Sequence, residues 1–153
     1  YQNIALGKPT RDTYTLVDGD WLGSELVVNG NFATDTDWTK GTGWSIAAGI
    51  ASCDGSTNNV ELINQPADLG VQTGSIYKTS FEVLNYTSGN VQIRVKGDSS
   101  GGRGLARDAD GIYIENLTAS ANSNDVRFTA SAASSFDASI DNVSVKRLIE
   151  VAP

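Results

Sequence analysis

Apolar and polar residues alternate most cleanly over residues 77–83, where Tyr77, Phe81 and Val83 share one parity and Lys78, Ser80 and Glu82 the other. This two-residue period predicts a strand with one dry face and one wet face. Val91, Ile93 and Val95 against Gln92, Arg94 and Lys96 repeat it after Tyr86-Thr87-Ser88-Gly89-Asn90, so the two runs are expected to lie side by side. The same period is seen in Val126, Phe128 and Ala130, and in Val60 and Leu62 about Glu61. Residues 44–48 and 50–54 read as a hairpin around Gly49, and residues 112–117 as one more strand. Near the end, Ile140, Val143 and Val145 form a closing strand whose alternation slips at Asp141-Asn142, which predicts a bulge. Its expected partner is Leu26-Val27-Val28-Asn29-Gly30-Asn31-Phe32, so the body should be closed by its own two ends.

Residues 65–70 and 98–111, rich in turn formers and charge, read as connections. Short strands and short connections predict an all-β chain of roughly eight or nine strands, a two-sheet antiparallel sandwich of jelly-roll topology. The body is expected over residues 25–148, with a tail at 149–153. Residues 1–24 show no clean period: Ile4, Leu6, Leu16, Val17, Trp21 and Leu22 are scattered among Gly, Lys, Pro, Thr and Asp. They read as an arm that packs on its own body, on a second copy or on a larger assembly.

Composition narrows the chemistry. The 153 residues suffice for one domain with its own core, and the formal charge of -7 disfavours a nucleic-acid partner. The chain has no histidine, so Ser-His-Asp and Cys-His catalysis is excluded, and the carboxylates show no spacing that selects a catalytic pair. No apolar run reaches the length of a membrane span. The lone Cys53 sits in a strand pattern and reads as a buried, inert thiol. The chain begins at Tyr1 and lacks methionine, as a processed protein or a piece of a longer one does.

Val28-Asn29-Gly30-Asn31-Phe32, followed by Trp38 and Trp44 and ending in Ile140-Asp141-Asn142-Val143-Ser144-Val145, resembles the carbohydrate-binding-module jelly rolls of families 4, 9 and 22. Gly43-Trp44-Ser45-Ile46, Ala51-Ser52-Cys53-Asp54-Gly55-Ser56, residues 77–83 and Asn85-Tyr86-Thr87-Ser88-Gly89 are similar to the variant carried on bacteriophage tail, fibre and capsid-decorating proteins. The resemblance implies core positions for Trp38 and Trp44. It also implies a structural calcium near Asn31 and Asp141, although Ala33 stands where a carboxylate is usual. The competing reading has Asp141 accepting hydrogen bonds from turn amides around Asn29 and Gly30.

Sugar binding needs aromatic faces for the rings and polar side chains for the hydroxyls. Tyr86, Tyr113 and Trp21 are the candidate platforms. Glu82, Gln92 and Arg94, on the face with Lys78, Ser80 and Lys96, are the candidate polar readers, and a solvated sheet face explains the same pattern. The resemblance implies a non-enzymatic virion surface module, its arm held by other virion proteins or copies of itself, with weak binding to cell-surface glycans. The alternative is a carbohydrate-binding module of a secreted polysaccharide-degrading enzyme.

Overall fold

The computed structural model describes residues 15–17, 19–56, 60–64, 69–95, 102–120, 125–130 and 135–149. Ile4, Leu6, Lys96, most of the expected crossover at 65–70 and the tail beyond residue 149 lie outside them. Among the described residues there are eleven strands: β1 (Thr15–Val17), β2 (Asp20–Glu25), β3 (Trp38–Lys40), β4 (Trp44–Ala47), β5 (Ile50–Asp54), β6 (Glu61–Asn64), β7 (Ile76–Ser88), β8 (Val91–Val95), β9 (Gly111–Thr118), β10 (Val126–Ala130) and β11 (Asp137–Ile149). They form two antiparallel sheets, the sandwich that the alternation predicts.

The thirteen-residue β11 is the spine of the larger sheet. It pairs with β7 on one side, while β5 takes its first half and β2 its second half on the other. Next, β9 extends β7, β4 extends β5 and β1 extends β2. The smaller sheet runs β3-β6-β10-β8. The β11 register against β7 slips between Asp141 and Ser144, with Asn142 at φ 52°, so the bulge lies where the alternation breaks. The β4–β5 loop is Ala48-Gly49, both at positive φ, the conformation that matches the twist of paired strands.

The inward parity of both sheets makes one core. Tyr77, Phe81 and Val83 meet Val91, Ile93, Val95, Val126, Phe128 and Ala130, and Phe81 and Phe128 pack edge to face at 5.0 Å. Trp38 and Trp44 are buried in this core, as expected. Cys53 is buried as well, and desolvation pushes its thiol above the ordinary range.

Three expectations are corrected. First, β7 and β8 are not neighbours: they lie in different sheets, and the chain crosses between the sheets at Gly89-Asn90. Gly89 has φ 77°, and a Cβ there would run into the Ser135 carbonyl, so only glycine permits so tight an arch. Turn chemistry is the same for a hairpin and an arch, and alternation does not say which sheet receives a strand.

Second, residues 26–32 are an irregular segment rather than a strand. They do lie beside β11, through Leu26 N to Val145 O at 3.0 Å and Val143 N to Gly30 O at 2.8 Å. The Glu25 carboxylate clasps this seam: Oε1 accepts the amides of Leu26, Val27 and Val145, and Oε2 the Ser144 hydroxyl. Third, the boundary expected at residue 25 falls inside the sheet. The β1–β2 hairpin, with Leu16, Val17, Trp21 and Leu22, is paired onto β11 through β2, so of the placements open to the arm this part takes the one on its own body.

Candidate functional site

Because β7 and β8 part company, the expected polar face is two faces. Lys78, Ser80 and Glu82 lie on the outside of the larger sheet, Gln92 and Arg94 on the outside of the smaller one. The expected aromatic platforms are occupied by the fold itself. Tyr113 sits on the inward parity of β9, with Phe81 at 5.7 Å and the Arg107 guanidinium 4.5 Å from its ring centroid. Its hydroxyl donates to Ala109 O. Tyr86 packs against the core, and its hydroxyl donates to Gly89 O. Trp21 is half-buried in β2. Among the described residues every aromatic ring is buried or half-buried.

The side chains that the resemblance implies as calcium ligands are each engaged locally. Asn31 Oδ1 accepts the Ala33 amide at 3.3 Å and Asp141 Oδ1 accepts the Asn142 amide at 2.7 Å. The expected bonds from Asn29 and Gly30 amides to Asp141 are replaced by this local one. Among the described residues there is no group of three or more His, Cys, Asp or Glu that could hold a metal ion. The Glu25 clasp holds the junction of the first and last segments through amides and a hydroxyl.

The outside of the smaller sheet carries the richest chemistry. Cross-strand register sets Thr39, Ile63, Arg127 and Arg94 in one row, and an isolated bridge extends the row to Arg103. Directly opposed residues share a face, so these side chains project together. The next row is Glu61, Thr129 and Gln92. Arg127 is clamped: Nε and Nη2 donate to the two oxygens of Asp125 at 3.0 and 2.8 Å, and Nη1 donates to Glu61 Oε2 at 2.7 Å. Those bonds, Asp125 first, hold its pKa above the ordinary value. Arg94 reaches Glu61 Oε1 only at 3.9 Å. Burial, and next the Arg103 guanidinium, hold the Arg94 pKa below its usual value. A shallow pocket of about 460 Å³, lined by Thr39, Lys40, Gly41, Val60, Glu61 and Ile63, opens at the β3–β6 end of this face.

The outer edge of β8 is held from the other sheet. Residues 102–107 run beside it through Val95 N to Gly102 O, Gly104 N to Ile93 O and Arg107 N to Val91 O. Glu115, on the inward parity of β9, accepts the Leu105 amide at 2.9 Å and pairs with Arg107 at 3.2 Å. Gln92 Nε2 donates to Gly104 O at 3.2 Å. Arg103 is therefore placed by a segment locked to both sheets. Of the residues singled out from sequence, Gln92 and Arg94 belong to this face, while Arg103, Arg127, Glu61, Asp125 and Thr129 went unrecognised. Alternation within β6 and β10 put Glu61, Arg127 and Thr129 on a wet parity, but only register brings them together with Arg94.

No family model matches the chain, and no curated protein matches it. Solved structures do. An arabinose-bound α-L-arabinofuranosidase superposes with TM-score 0.57 at 14% identity over 81% of this chain. That match spans only 26% of the enzyme. A low-affinity xylan-binding module from Roseburia intestinalis gives TM-score 0.55 at 14% identity, covering 76% of this chain and 92% of the module. The N-terminal cellulose-binding domain of Cellulomonas fimi β-1,4-glucanase C gives 0.52 at 15% identity, covering 82% and 98%. These modules share with this chain a jelly-roll β-sandwich fold.

Proposed function

We propose that this chain is a non-catalytic carbohydrate-binding module that acts outside the cell, appended to a polysaccharide-degrading enzyme, with its sugar-binding surface on the outside of the smaller sheet. The observation that carries this reading is the match to sandwiches named as xylan- and cellulose-binding modules over 92% and 98% of their length. The polar rows over β6, β10 and β8 and the adjoining pocket supply hydroxyl-reading groups on a pre-formed sheet. The absence of an exposed aromatic ring among the described residues argues for weak rather than tight binding. The virion placement rests on the sequence resemblance alone. The hairpin at 15–25, part of the region that favoured an assembly arm, completes the sheet of its own chain.

Affinity electrophoresis of the intact protein in gels containing xylan, cellulose derivatives or mixed-linkage glucan is the test. Retardation by at least one, weakened by Gln92→Ala, supports the reading. Unchanged mobility in all of them contradicts it.

A further inference from the structure

Opposed like charges weaken a sheet, yet this face sets three guanidiniums in consecutive cross-strand positions, Arg127, Arg94 and Arg103. One of the two juxtapositions is offset. Glu61 stands between Arg127 and Arg94, bonded to the first at 2.7 Å and 3.9 Å from the second. The other is not: among the described residues Arg103 has no ion pair, and the long contact to Glu61 is the ion pair of Arg94. Among the described residues Asp125 and Glu61 are the carboxylates that meet this row, and their shortest ion pairs go to Arg127. At a strand spacing of about 4.8 Å, neighbouring guanidinium forks reach the same small anion.

The arrangement is built rather than incidental. The Arg94 side chain is 16% exposed, and Arg103 is carried on backbone tied to β8 and to Glu115. The surrounding molecule is acidic, with a formal charge of -7, so a densely charged polyanion is repelled while an isolated anionic group on a neutral chain is not. Guanidinium also supplies what the face lacks in rings: a directional grip on one substituent of a sugar.

We propose that the Arg94–Arg103 pair reads an anionic substituent on the glycan, a uronic-acid carboxylate or a sulfate ester, so that the module selects sparsely acidic polysaccharides. This rests on the carbohydrate reading above and specifies its ligand.

Matched probes test it: glucuronoxylan against its carboxyl-reduced form, and sparsely sulfated xylan against its desulfated form, titrated by calorimetry into the intact protein. The expected result is preference for the charged member of at least one pair, on the order of tenfold, the worth of one charge-assisted hydrogen-bonded contact. The pair that shows it separates carboxylate from sulfate. Arg103→Ala, at an exposed position that spares the core, should abolish that preference while leaving the thermal midpoint within a few degrees. Equal affinity for both members of each pair, or a preference that survives Arg103→Ala, overturns the acidic-ligand assignment and leaves the carbohydrate reading standing. Binding to none of the four overturns the acidic-ligand assignment, and the carbohydrate reading then stands or falls with the cellulose-derivative and mixed-linkage-glucan gels.

Discussion

The two outer faces of this sandwich are built from the same alternation and meet different ends. The outside of the larger sheet mixes the two signs: Lys78 stands opposite Lys146, and Glu82 opposite Asp141. Lys78 pairs with Asp20 at 2.9 Å, Asn142 donates to Glu82 at 3.0 Å, Ser52 and Ser139 share a hydrogen bond, and Ile112 and Ile114 stand 70% and 60% exposed at its β9 edge. The outside of the smaller sheet concentrates cations, with one arginine fully clamped and two left to face outward. A wet parity therefore says only that a side chain is solvated. What sets the smaller sheet apart is that its opposed like charges are all of one sign, three arginines in a row.

The strongest way to break the comparison is to remove what holds both faces apart. Phe128 lies on the inner parity of the smaller sheet and packs on Phe81 of the larger, so Phe128→Ala should cost about 3–5 kcal/mol. Urea denaturation would show it, together with loss of both faces in one transition; a shift below about 1 kcal/mol would mean the sheets do not share this core.

Charge removal should then separate the faces. Arg127→Ala leaves the buried Asp125 and the half-buried Glu61 without their main partner, and should cost roughly 2–3 kcal/mol. Lys78→Ala, across the sandwich, breaks a partly exposed pair and should cost no more than about 1 kcal/mol. Equal losses in parallel melts would erase the distinction. Smallest of all, the double change Ile112→Thr and Ile114→Thr keeps β-branched side chains on an exposed parity and should move stability by less than about 0.5 kcal/mol.

Much of the fold was legible because it is written in local periods. Tyr77, Phe81 and Phe128 announce their inward parity, Gly49 its hairpin, and Asp141-Asn142 its bulge. Pairing is not local. Gly89 looks like any hairpin glycine, and only the approach of Ser135 from a distant part of the chain turns it into an arch between sheets. The same limit governs the candidate site. Gln92 and Arg94 could be found from β8 alone, but Arg103 sits in a glycine-rich stretch without a period. Arg127 becomes significant only once β10 is known to lie between β6 and β8. That Arg107, six residues upstream, lies over the Tyr113 ring was not legible either, because the contact depends on how residues 102–107 run beside β8.

The central claim is that ligand meets the smaller sheet. Backbone amide NMR during titration with glucuronoxylan oligosaccharide addresses it most directly. Shifts confined to Gln92, Arg94, Arg103, Arg127 and Thr129 and their neighbours are predicted. Shifts centred instead on Lys78, Ser80, Glu82, Ile112 and Ile114 would contradict the account.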